Sequence, residues 1–153
     1  MSMQEIYSMP GHLLRRCQQI SVAIFLDECR DYKDIKHLDY AVLKAVDALR
    51  GVDQITLAGS IAVDRTSIGR IVDRLEQKKL ITRFKSKDDA RVKCLRISQK
   101  GKNLLKKLDP IVQRVEQRIV EPLSAAQKGQ FMEILEKICD YHNLVSRAPI
   151  RPE

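Results

Sequence analysis

The chain has 153 residues, 44% hydrophobic and 31% charged, enough to bury one core and too apolar for a disordered tail. Its 28 Lys and Arg outnumber 20 Asp and Glu, a net charge of +8 that points to a polyanion, either nucleic acid or an acidic membrane surface. Trp is absent and aromatics are 5%, against a sugar cleft or a stacking platform for single-stranded RNA, and the four cysteines form no Cys-x-x-Cys pair.

In chain order, Met1 to Pro10 lacks a basic-then-apolar leader pattern, so export is not expected, and no apolar run approaches the ~20 residues that span a bilayer. From Gly11 to Cys29, Leu13, Cys17, Ile20 and Ile24 recur at helical spacing, and Leu14, Val22, Phe25 and Leu26 widen the stripe beyond one face. Such a helix must be covered on two sides, by its own domain and by a partner chain. A second helix fits Leu38 to Leu49 and ends at Gly51. Asp53 and Asp64 are N-caps for two short helices, the second running to about Lys79, and the brief Ala62-Val63 turn between them makes a helix-turn-helix.

Ile81 to Ser98 changes character. Two strand-like runs flank the polar segment from Ser86 to Ala90, which predicts a basic β-hairpin that must pack on neighbouring helices. From Ser98 the pattern is helical again. Pro110 predicts either a kink or a restart with Asp109 as cap, and Ser124 with Gln127 forms a capping box for the last helix. Pro149 and Pro152 predict a frayed tail. The fold class is mainly α with a small β-hairpin (α+β). The terminal helices carry more apolar surface than the central domain needs, which favours a two-fold homodimer with those helices interleaved.

With Ile68, Ile71, Val72 and Leu75 inward, Thr66, Arg70, Asp73 and Gln77 face outward on the helix from Asp64, with Ser67 and Arg74 on its flanks. Arg65, Thr66, Ser67 and Arg70 in the first two turns suit the major groove, where Arg grips guanine and Ser or Thr bonds base edges or phosphates. The hairpin adds Arg83, Lys85, Lys87, Arg91, Lys93 and Arg96, suited to laying an arginine into a minor groove.

Val63 to Leu80 (VDRTSIGRIVDRLEQKKL) resembles the recognition-helix signature of MarR-type winged helix-turn-helix regulators. Asp89-Ala90-Arg91 is similar to their wing motif, Leu95 to Gly101 (LRISQKG) to their passage into the dimerisation helix, and Leu38 to Leu43 (LDYAVL) to their second helix. The likeness covers roughly residues 11–145. It implies a cytoplasmic, homodimeric repressor of a pseudo-palindromic DNA duplex, released by a small molecule or by oxidation. No cofactor is expected, and without a phosphate-cradling glycine loop, a nucleophile elbow or paired carboxylates no enzymatic activity is expected either. The resemblance further implies that Arg91 is the minor-groove arginine, that Asp89 positions it, and that Thr66, Ser67 and Arg70 touch major-groove bases; Arg65, Arg74 and Lys87, from the helix and hairpin pattern, complete the expected DNA-contacting set. The corresponding divisions are an arm (1–10), a first dimerisation helix (11–35), a winged helix-turn-helix domain (36–100), C-terminal dimerisation helices (101–146) and a tail (147–153). Ala62 stands where the family often has a turn glycine.

Gly11 to Ile20 (GHLLRRCQQI) also resembles the opening of regulators of nicotinate and other aromatic-acid catabolism. The implied effector pocket has walls from the first, second and long helices, and His12, Arg15, Arg16, Gln19 and Tyr40 are its candidate polar groups. Arg beside apolar walls suits an aromatic carboxylate. Cys17 near the arginines is a redox alternative, set against its reading as a small hydrophobe, which also covers Cys29, Cys94 and Cys139. Cys139 and His142, one turn apart, would need a ligand from another helix to complete a zinc site, and with the three His scattered at positions 12, 37 and 142 none is expected. The competing class is a helical protein-interaction adaptor. It predicts no concentration of arginine in the helix-turn-helix and hairpin.

Overall fold

The computed structural model describes residues 2–86, 89 and 91–151. The expected N-terminal arm is instead a short helix, α1 (Met3–Tyr7), because Ser2 and Glu5 close a capping box. α2 (Pro10–Glu28) has Pro10 at its first position, where the missing N–H costs nothing, and a single 3-10 turn (Arg30–Tyr32) leads to α3 (His37–Ala48). The helix-turn-helix follows as α4 (Gln54–Ser60) and α5 (Arg65–Gln77). Asp53 accepts from the N–H groups of Ile55 and Thr56 at 2.8 and 3.0 Å, and Asp64 from those of Thr66 and Ser67 at 3.1 and 3.0 Å. Ala62 lies between them at φ +52°, in the left-handed region.

β1 (Ile81–Lys85) and β2 (Lys93–Ile97) pair antiparallel, with Ile81 opposite Ile97 and Lys85 opposite Lys93. A bridge from Asp53 to Cys94 ties the hairpin to the start of α4. α6 (Gln99–Ile119) starts at the Ser98 cap and runs through Pro110 without a break. Asp109 therefore caps nothing: its carboxylate accepts from Tyr40 Oη at 2.9 Å and Lys44 Nζ at 3.1 Å, both on α3. Pro110 is solvent-exposed. α7 (Ala125–Tyr141) opens on the Ser124–Gln127 capping box and is followed by a 3-10 turn, Asn143–Val145.

The core joins Val42, Leu43 and Val46 of α3 to Leu57, Ile68, Val72 and Leu75 of the helix-turn-helix, then to Ile81 and Leu95 of the hairpin and Leu108 of α6. α7 buries none of its residues, and Ile134, Ile138 and Tyr141 stay exposed on it, as do Leu13, Leu14, Ile20 and Leu26 on α2. Among the described residues no helix is long and apolar enough to cross a membrane. Through residue 151 the tail is tied down where fraying is expected, because the Arg151 N–H donates to the Gly59 carbonyl at 3.1 Å, and Pro152 lies outside the described residues.

The hairpin meets α6 at Gly101, where an added Cβ would lie 2.3 Å from the Leu80 carbonyl oxygen and 2.7 Å from Cγ1 of Ile97. Gly101→Ala is therefore expected to lower stability by about 1–3 kcal/mol, the usual cost of overpacking. Ala62→Gly should do the reverse by roughly 0.5–1 kcal/mol, since glycine relieves the left-handed strain while loosening the unfolded chain. Urea melts of the two variants check both signs.

Candidate nucleic-acid interface and ligand cavity

α5 is offered to solvent by its first two turns. Arg65, Thr66 and Arg70 are exposed there and Ser67 is half-buried, while Ile68, Ile71, Val72 and Leu75 point into the core. Hydrogen bonds from Ser67 and Thr66, with Arg147 nearby, hold the Asp64 carboxyl below the ordinary carboxylate range. The cap stays ionised at neutral pH, where its charge complements the helix dipole.

Arg74 departs from the expected DNA-contacting set. Its guanidinium is paired with Asp39, a carboxylate of α3 with no exposure, and Asp39 also accepts from the Lys36 N–H at 3.0 Å. Arg74 thus fixes α5 against α3 instead of facing outward. Arg83 turns inward as well: its guanidinium pairs with Asp73 and Glu76 of α5, and its own N–H donates to Glu76 at 3.2 Å. The sequence pattern places Arg83 among the outward hairpin cations. Its neighbours across the strand and helix are the missing information, since periodicity names a face and not a partner.

At the hairpin tip, the Asp89 carboxylate accepts from the Arg91 N–H at 2.9 Å, and the Asp89 carbonyl from the Val92 N–H at 3.0 Å. Asp89 therefore sets Arg91 through the backbone of the turn, and the Arg91 side chain is exposed. Lys87 lies outside the described residues. Arg96 is stacked over the Phe84 ring at 4.6 Å. Lys85 and Lys93 face one another across the strands, both exposed. Like charges directly opposite destabilise a hairpin unless an anion lies between them. Arg65, Thr66, Arg70, Arg91, Lys85 and Lys93 are thus all exposed on two linked elements, a cationic and hydroxyl-bearing set that suits phosphates and base edges.

A second feature lies between α2, α3 and α6. It is a cavity of about 290 Å³ walled by Val22, Phe25, Val112, Val115 and Ile119, with His37, Tyr40 and Glu116 as polar groups. Burial and the hydrogen bond to Asp109 push the Tyr40 hydroxyl up to about 12, so it is a neutral donor at any working pH. Of the five expected pocket residues, Tyr40 alone lines this cavity. His12 is half-buried against Tyr7, with ring centroids 5.5 Å apart, and Arg15, Arg16 and Gln19 are exposed on α2, Arg15 donating to Gln19 at 2.8 Å. His37 and Glu116 escape a sequence-based reading, because neither shows there as more than a surface polar residue.

Cys17 and Cys139 are exposed, whereas Cys29 and Cys94 are buried. Burial, with Glu28 adjacent, pushes the Cys29 thiol up and leaves it inert. Among the described residues no cluster of three His, Cys, Asp or Glu is arranged to hold a metal.

The sequence model of the MarR family matches residues 35–93, from the approach to α3 to the start of β2. A protein of Thauera aromatica, named as a putative transcriptional regulatory protein for the hcr operon, is 31% identical over 134 residues, covering 86% of this chain and 81% of its own. BpsR of Bordetella bronchiseptica, whose DNA binding is regulated by 6-hydroxynicotinic acid, superposes with TM-score 0.83 at 25% identity, over 88% of this chain and 95% of its own. The transcriptional repressor CouR, solved on a 23-mer DNA duplex, gives 0.82 at 26% identity, over 91% and 98%.

The inward commitment of Arg74 separates two arginines one turn apart. Arg74→Ala leaves the Asp39 charge buried and unpaired and should cost about 3 kcal/mol in a urea melt, whereas Arg70→Ala should change stability by less than ~0.5 kcal/mol. Equal losses would mean that the ion pair does not anchor α5.

Proposed function

The chain belongs to the MarR family of transcriptional regulators, and from that premise we propose that it is a cytoplasmic, homodimeric repressor of a pseudo-palindromic operator. The observation that carries this reading is the outward surface of α5 and the hairpin: Arg65, Thr66, Ser67 and Arg70 for the major groove, and Arg91, oriented by Asp89, for the minor groove. Lys87 joins that set from the sequence. The DNA-bound state of CouR, a relative of the same fold over 91% of this chain, supports it. The bare apolar surfaces of α7 and α2 are the dimer interface, and two-fold symmetry gives half-sites about one helical turn apart. The adaptor alternative leaves the concentration of arginine on these two elements without a role.

For control, we infer an aromatic carboxylate effector. The cavity is at the lower edge of the roughly 300–1,000 Å³ common for small-molecule sites, and its apolar walls suit one ring, with His37 as the polar donor, the single Tyr40 O–H being committed to Asp109. BpsR, regulated by 6-hydroxynicotinic acid, supports this class of ligand. Arg15 and Arg16 lie on α2 N-terminal to the Ser21–Phe25 wall, about 7.5 Å along the axis from Arg16 to Ser21. His12, Arg15, Arg16 and Gln19 reach the ligand, on this reading, only if the partner chain closes over that stretch of α2. Oxidation of Cys17 is the second route to release, favoured only by its exposure.

Fluorescence anisotropy on the duplex upstream of the chain's own gene, under reducing conditions, tests the reading. Tight binding is expected, relieved by one acid among 6-hydroxynicotinate, benzoate, salicylate and coumarate. Binding that ignores every acid and yields only to oxidant would replace the carboxylate by Cys17. Arg91→Ala should weaken binding on all sequences and flatten its salt dependence by about 0.9 for each phosphate it no longer neutralises, whereas Arg70→Ala should also relax base preference. An Arg91→Ala protein with unchanged affinity and salt slope would remove the hairpin from the interface.

A further inference from the structure

We propose that residues 147–151 are an additional DNA-binding arm, clamped on the helix-turn-helix so that Arg147 and Arg151 contact phosphates beside the start of the recognition helix. The proposal rests on the DNA-binding reading of α5 and the hairpin and adds to it a segment that neither the family match at residues 35–93 nor the recognition-helix and hairpin signatures include.

The segment is built to hold one position. Asn143 grips it from the end of α7 with both ends of its amide: Nδ2 donates to the Ile150 carbonyl at 2.9 Å and Oδ1 accepts from the Ile150 N–H at 2.8 Å. The Ala148 N–H donates to Ser146 Oγ at 3.2 Å, and the Arg151 N–H to the Gly59 carbonyl on α4 at 3.1 Å. The Arg151 stem packs over Gly59, with its Cβ, Cγ and Cδ at ordinary van der Waals distance from where a Cβ of residue 59 would lie. Between the segment and Ile55, Ala58, Val63 and Arg65 only a cleft of about 80 Å³ remains. Ala148 and Pro149 are half-buried there.

What this clamp leaves outside is charge. Arg147 and Arg151 are exposed, and among the described residues neither guanidinium closes an ion pair. Arg147 is near enough to Asp64 to help keep that cap ionised, so it stands at the first turn of α5, next to Arg65. Thr66 and Ser67 both donate their N–H groups to Oδ1 of Asp64, and among the described residues no ion pair joins Arg147 to that carboxylate. A strap that only stiffened the fold would need the backbone bonds and the half-buried Ala148 and Pro149, but not two exposed guanidinium groups. Arginine in that position fits a polyanion passing the end of the recognition helix, where its fork can bond phosphate oxygens in pairs.

The test uses the full chain and a duplex that the wild-type protein selects from a random-sequence pool, followed by anisotropy from 50 to 300 mM salt. The double variant Arg147→Ala, Arg151→Ala should bind roughly tenfold more weakly at low salt, with its salt slope reduced by about 0.9 for each phosphate left without its arginine. Arg147→Lys with Arg151→Lys, which keeps the charge, should retain most of the slope, and urea melts of both doubles should match the wild type. An alanine double with unchanged slope overturns the proposal even if its affinity falls, because that result describes a strap. If the wild-type protein selects no duplex, the DNA-binding reading fails first and this arm fails with it.

Discussion

A carboxylate removed from water is tolerated only when its oxygens are fully engaged, and the position of the recognition helix depends on one such group. Asp39 has no exposure, and it receives the Lys36 N–H on one oxygen and the Arg74 guanidinium on the other. Rotating α5 about its axis, or sliding it along α3, would strand that charge. The pairing of Arg83 with Asp73 and Glu76 ties the hairpin to the same helix. With the later turns of α5 held by ion pairs and its inner side by Ile68, Val72 and Leu75, the first two turns can face outward without any means of support on that side.

The same α3 helix carries the connection to the long helix. Tyr40, next in sequence to Asp39, donates to Asp109 on α6, and Lys44 joins it one turn later. The cavity thus has as one of its walls the helix on which the recognition helix is hung. At the other end of the domain, the missing side chain of Gly101 lets the Leu80 carbonyl and Ile97 sit directly on the first turn of α6. Reading head and long helix are therefore in contact by two routes, one polar and one of close backbone approach.

Much of this is legible from residue order. The helix starts at Asp53, Asp64 and Ser124 are readable because a cap is a local bond between a side chain and an N–H two or three residues on. The hairpin is readable from its alternation, and the family from motifs spread over most of the chain. Bonds between residues distant in sequence are not. Nothing local distinguishes Arg74, which meets Asp39, from Arg70, which meets solvent. Asp109 before Pro110 has the look of a cap because the alternative partner, Tyr40, is 69 residues away. The tail reads as frayed for the same reason: its anchor, Gly59, is remote in the chain. The cavity is the least legible feature, since His37 and Glu116 join Tyr40 only after three helices have packed.

The facing lysines of the hairpin have an effect on the unbound protein. Lys85 and Lys93 repel one another whenever no anion lies between them, so the free chain is the electrostatically frustrated partner of the equilibrium. Dissolved ions screen that repulsion over a Debye length of about 10 Å at 0.1 M, and so relax the ligand-free hairpin while weakening its attraction to a polyanion. Raising ionic strength thus acts on both sides of the association at once: it subtracts from the complex and adds to the isolated protein. Part of any measured salt sensitivity therefore belongs to the hairpin's own internal energy, which the complex relieves only by bringing an anion between the two lysines.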